Sequence, residues 1–211
     1  HVYAPGMECG FTRFPLLEPS FLFGGFPPED IRHKFLMAEE SDAEELGDGV
    51  LPAGWECIPL PGHFLSMVGF RTPDDVVYLA DCLSSRETLD KYGVTFIYDV
   101  ASYIATLKRV ITMRARLFIP SHAAATDDIA PLAEYNLRKV EEVADMICLI
   151  CREPSSSDEV IRRVFRSYGL QMTMQQYVLV GSTIRSYLSW LRNSGRIGVR
   201  AEDDMIMWYS L

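Results

Sequence analysis

The order in which apolar residues change their period constrains this chain more than any other feature. Between Trp55 and Leu79 they come in short runs, Trp55–Leu60, Met67–Phe70 and Val76–Leu79, divided by Pro61-Gly62-His63 and Pro73-Asp74-Asp75. Runs of that length bounded by Pro, Gly and Asp predict three consecutive strands. Val100, Tyr103, Ile104, Leu107, Val110 and Ile111 then recur at helical spacing across residues 98–115, and Arg116–Pro120 is again a short strand of the buried type. Ala133, Leu137, Val140, Ala144, Ile147 and Cys151 lay one apolar stripe along a long helix over 131–152. Strand, helix, strand in that order predicts an α/β domain.

The flanks read differently. Up to about residue 28 the chain is rich in Pro, Gly and Phe, which predicts strand and loop without long helices. Pro28 followed by Glu29-Asp30 suits a helix first turn, with Ile31, Phe35 and Leu36 as its apolar face, and that helix is expected to fade by Gly47. Pro154 and Ser155–Ser157 form a linker. Beyond it the pattern predicts a helix from Asp158, a short helix near 173–178, and a third helix capped by Ser182 and stopped by Gly195. A hairpin of Arg196–Arg200 and Met205–Tyr209 follows, joined by Glu202-Asp203-Asp204. Three helices and a hairpin predict a winged helix, an α+β unit, and so two domains, 1–154 and 155–211.

Charge divides at the same place. The net charge is -9, but residues 1–154 hold thirteen Lys/Arg against twenty-four Asp/Glu, while 155–211 hold seven against five. An acidic field repels nucleic acid and anionic membrane. No apolar run approaches the ~18 residues of a membrane span, and Val2-Tyr3-Ala4-Pro5 lacks the character of a signal peptide. Five scattered cysteines make no disulfide framework, so a reducing, cytoplasmic location is expected.

Three residues stand where chemistry is expected. His63 follows the first run, Asp81 ends Val76-Val77-Tyr78-Leu79-Ala80, and His122 follows Leu117-Phe118-Ile119-Pro120-Ser121. Each sits at the C-terminal end of a predicted strand, the edge where open α/β sheets bind ligands. Two imidazoles and a carboxylate suit zinc or another borderline divalent ion. The other candidates have plainer readings: His33 lies on an amphipathic face, Cys148 and Cys151 are packing residues in a helix, and Ser182 is a cap rather than a nucleophile. The seven C-terminal arginines could meet phosphates, but Glu202-Asp203-Asp204 sets three acids at the wing tip.

Pro61-Gly62-His63 with Met67-Val68-Gly69-Phe70, then Leu79-Ala80-Asp81-Cys82-Leu83, then Pro120-Ser121-His122-Ala123, resembles the later motifs of the metallo-β-lactamase-fold hydrolase superfamily. The resemblance covers about residues 1–150 and implies the C-terminal half of an αββα sandwich. It implies that His63 binds a first metal, Asp81 bridges two, and His122 binds the second. Ser182-Thr183-Ile184, Tyr187-Leu188, Leu191 and Gly195-Arg196-Ile197 resemble the winged-helix domain appended in one branch of that superfamily.

Two departures matter. Phe64-Leu65-Ser66 replaces the usual small residue, Pro and Gly after the histidine, and the HxHxDH motif is absent. That motif supplies two histidines for the first metal and an aspartate and a histidine for the second. The resemblance thus implies part of a di-zinc hydrolase acting on an ester, thioester or phosphoester, with this stretch, the C-terminal part of a longer hydrolase, inactive by itself. Its partners would be a small-molecule substrate and a second copy in a homodimer. Two other functions fit the same residues: a non-catalytic interaction module, and a nucleic-acid-binding or nuclease-like protein using the winged helix.

Overall fold

The computed structural model describes residues 1–47 and 49–211. In chain order the elements are β1 (Tyr3–Ala4), α1 (Glu8–Arg13), α2 (Leu17–Phe23), a 3-10 turn (Glu29–Ile31), β2 (Glu44–Glu45), β3 (Glu56–Pro59), β4 (Val68–Arg71), β5 (Val76–Ser84), α3 (Arg86–Tyr92), α4 (Val100–Thr112), β6 (Leu117–His122), α5 (Ala130–Ile150), α6 (Ser157–Tyr168), α7 (Met174–Asn193), β7 (Ile197–Glu202) and β8 (Met205–Ser210). The main sheet runs β3-β4-β5-β6. Its first three strands are antiparallel neighbours, and β6 lies parallel to β5 after the crossover through α3 and α4. The three expected strands, the 98–115 helix and the 116–120 strand are all present.

Helix starts follow local chemistry. Ser85, Asp99, Ser156 and Thr173 each accept a hydrogen bond from the backbone N–H three residues on, satisfying a first-turn donor of α3, α4, α6 and α7. Val100, Tyr103, Leu107 and Val110 lie on the buried face of α4, and Ala133, Val140, Ala144 and Ile147 on that of α5. One hydrophobic core runs from Leu60, Leu79 and Phe118 through α4 and α5 to Val164, Tyr187 and Ile197, so the tail packs on the same interior as the sheet.

The N-terminal flank departs from expectation. Strand and loop were anticipated there, but only Tyr3–Ala4 is strand, and α1 and α2 are short helices. Neither has a side-chain cap, and Pro19 sits in the first turn of α2, where its missing N–H costs nothing. The helix expected from Pro28 to Gly47 is reduced to the 3-10 turn. Ile31 and Leu36 turn inward to a small core with Leu22 and Val178, which fixes this segment on α7 instead of extending a helix.

The tail holds two helices and a hairpin, not three helices and a hairpin. Its short second helix and the helix thought to begin at Ser182 are one continuous α7. Ser182 and Thr183 donate their hydroxyls to the Leu179 carbonyl, one turn back, as hydroxyl residues inside helices can do. Thr183 also accepts from the Ile97 backbone N–H, tying α7 to the loop before α4. Asp203 and Asp204 both take positive φ, 47° and 61°, the left-handed pair that a two-residue hairpin turn requires. Among the described residues no helix is long and apolar enough to cross a membrane.

Candidate functional site

His63 is placed by glycine. Gly62 has φ 123°, and a Cβ on it would lie 2.3 Å from the Tyr103 backbone, so the loop runs hard against α4. The Gly62 carbonyl accepts from Tyr98 and Asp99 N–H, holding the loop to the start of that helix. The imidazole meets the Phe96 ring edge-on at 5.4 Å.

Asp81 is placed by a bulge. Ala80 lies in the left-handed region at φ 47°, and the β5–β6 pairing slips register on both sides of it. Such a bulge re-aims the next side chain. His122 ends β6 opposite Ser84, and its carbonyl accepts from the Ser85 N–H at 3.2 Å. Beneath them the buried Asn136 of α5 clamps β5: its Oδ1 accepts from the Ser84 N–H at 2.9 Å while its Nδ2 donates to the Ser84 and Leu132 carbonyls.

The three residues named from sequence therefore converge. His63 Nε2 lies 3.9 Å from Asp81 Oδ2, and His122 Nε2 lies 3.4 Å from Asp81 Oδ1, so each imidazole faces a different carboxylate oxygen. Burial pushes the His63 pKa below 6.5, against the pull of the Asp81 charge, with His122 adding to the lowering. An imidazole that resists protonation when folded makes stability fall as pH drops from about 6.5 toward its folded pKa. Denaturant midpoints should decline over that window, and His63→Gln should flatten the decline; an unchanged slope would mean that His63 is not the group responsible.

The trio is two-sided rather than clustered. Among the described residues no group of three or more His, Cys, Asp or Glu is arranged to hold one ion. An ion on either side of Asp81 would meet one imidazole and one carboxylate oxygen, whereas a catalytic zinc keeps three protein ligands. The donor chemistry is right and the donor number is short, so these residues do not by themselves fit a dinuclear centre.

His63 and Asp81 open into a cavity of about 440 Å³ whose walls include Leu22, Phe64, Met67, Phe70 and Phe96. Glu8 and Glu18 also line it, and no Lys or Arg is among its described lining residues. Glu8 Oε1 accepts from the Ser66 N–H at 2.5 Å, pinning the loop after His63, and burial raises the Glu18 pKa. Sequence reasoning missed both glutamates, because it did not see the helices that carry them.

The remaining candidates lie elsewhere. His33 accepts from the Phe35 N–H in the N-terminal flank. Cys148 and Cys151 are free thiols near the core, and burial pushes Cys151 up to about 11, far from a reactive thiolate. Of the seven C-terminal arginines, Arg162, Arg163, Arg185, Arg196 and Arg200 face acidic side chains.

No protein-family model and no curated protein matches the sequence. Solved structures do. A metallo-beta-lactamase family protein from Thermus thermophilus superposes with TM-score 0.73 and 17% identity over 100% of this chain and 72% of that one. The chain has a metallo-β-lactamase-like fold. A beta-lactamase domain protein from Burkholderia ambifaria gives TM-score 0.63 and 18% identity, covering 83% of this chain and 55% of that chain. At these identities the likeness is one of fold. For the Thermus protein it runs past residue 150 and takes in the tail.

Proposed function

We propose that this chain carries the substrate cavity and some of the metal ligands of a metal-dependent hydrolase, with His63 and His122 on opposite sides of a bridging Asp81. The observation that supports this most is that pair of imidazole contacts, one to each Asp81 oxygen, with His63 and Asp81 themselves lining a cavity in a metallo-β-lactamase-like fold. In the complete centre the group held would be two divalent ions, zinc by donor preference. Among the described residues the ligand set falls short, so the chain by itself binds substrate without turning it over. An uncharged ester or thioester suits the cavity better than a phosphoester, since the carboxylates of Asp81 and Glu8 face it with no cation among the described lining residues.

The domain division at residues 154 and 155 and a winged-helix identity for the tail belong to the same proposal. The tail's arginines are largely engaged with Glu159, Glu153, Asp145 and Glu202, which favours a packing role over a phosphate-tracking one. Homodimerisation through the exposed Phe14, Phe26 and Phe35 of the N-terminal flank is the partner expectation.

Generic ester, thioester and phosphodiester substrates supplied with zinc test the incomplete-centre reading. Turnover should stay near the uncatalysed rate. Turnover of about 1 per second or more, ordinary for an enzyme, would overturn the incomplete-centre reading.

A further inference from the structure

Three hollows lie in a row across the molecule. The cavity at His63 and Asp81 shares Leu22 and Phe96 with a groove of about 300 Å³, which in turn shares Tyr98, Arg185 and Ser186 with an outer groove of about 520 Å³ along α7. These shared side chains make the three hollows neighbours. Along the whole tract Arg185 is the single Lys or Arg among the described lining residues, and Ser182 and Ser186 stand beside it on the same helix.

Charge is therefore separated from end to end. Glu8, Glu18 and Asp81 line the inner cavity, and Arg185 lies beyond the apolar Leu22 and Phe96. Arg185 is held only loosely: its Nη2 is 3.7 Å from Asp158 Oδ1, with the two side chains 44% and 75% exposed. An exposed pair of that kind contributes little and yields readily to a better acceptor. Asp99 also lines the outer groove, but its oxygens already accept from the Ser102 N–H and hydroxyl.

We infer that Arg185 is a specificity-determining residue for a substrate whose apolar body lies in the inner cavity and whose distal end carries an oxyanion. This rests on the hydrolase reading for the reaction, but the binding geometry stands apart from it. A guanidinium offers paired donors to phosphate or carboxylate oxygens, and the acidic inner cavity would turn such a ligand so that only its uncharged end meets Asp81.

Calorimetry on the metal-free chain with octyl phosphate, octanol and ethyl phosphate tests it. Octyl phosphate should bind about tenfold more tightly than octanol, roughly the gain from one charge-assisted contact, and more than about tenfold more tightly than ethyl phosphate, whose chain buries fewer methylenes. Arg185→Ala should remove the advantage over octanol, Arg185→Lys should keep some of it, and Leu46→Trp, which fills the inner cavity, should remove the advantage over ethyl phosphate. Thermal melts of the variants check that each stays folded. The inference is overturned if octyl phosphate has no advantage, if the advantage persists in Arg185→Ala, or if the alkyl chain adds nothing. Because no turnover is read, failure of the hydrolase reading leaves these affinities untouched, and their failure leaves the hydrolase assay standing.

Discussion

Gly62→Ala is expected to cost about 3–5 kcal/mol of folding stability. Two costs combine. The new Cβ would stand 2.3 Å from both N and Cα of Tyr103, atoms of a helix backbone that cannot swing aside, and alanine is strained at φ 123° whatever the space. Relief requires the loop to lift from α4, which breaks the hydrogen bonds from Tyr98 and Asp99 to the Gly62 carbonyl and moves His63 away from Asp81. Urea unfolding should show a lowered midpoint, and the His63 ring resonances should shift toward an exposed histidine. A midpoint within about 0.5 kcal/mol of wild type would mean that the loop does not lie against α4.

Asn136→Ala is expected to cost about 2–4 kcal/mol. Its side chain is buried and makes three hydrogen bonds to backbone, at Ser84 N, Ser84 O and Leu132 O, and accepts weakly from the Tyr103 hydroxyl at 3.5 Å. Removing it leaves those Ser84 groups unpaired beneath the site, and an unpaired buried group costs its full desolvation. Asn136→Asp supplies a sharper diagnostic, since it keeps the acceptor, loses the donor and buries an acid. Burial raises the folded pKa of such an acid above ~4, so the variant should be most stable at low pH and lose stability as pH rises above that value. A flat pH response would show that position 136 is open to water.

Much of the architecture was legible because period and punctuation agree across residues 55–150. The strands of the sheet, α4 and α5 follow from apolar spacing, whereas α3 with its Ser85 cap is too short to show a period, and the caps Asp99 and Ser156 show only in the structure. Residues 1–47 were less legible because α1 and α2 start without caps and hold their places through Leu22, Ile31 and Leu36 packed on Val178, a contact between residues far apart in the chain. Ser182 misled for a related reason: a hydroxyl that can cap a helix can also bond back to the preceding turn, and only the continuity of α7 decides between them.

The site divides along the same line. His63, Asp81 and His122 could be named from sequence because each follows an apolar run at a strand end. Their meeting depends on the left-handed backbone at Ala80 and the close approach at Gly62, neither visible in composition or period. Arg185 was weighed as one of seven arginines, and only the succession of hollows beside α7 distinguishes it from the rest.

Zinc titration followed through the imidazole resonances of His63 and His122, in wild type and in Asp81→Ala, asks most directly whether two histidines share one carboxylate with too few ligands around it. Both rings should respond together, half-saturating only above about 1 µM, an affinity of less than ~8 kcal/mol, and the joint response should vanish in Asp81→Ala. Stoichiometric saturation at nanomolar zinc, or two rings responding independently of Asp81, would contradict this account.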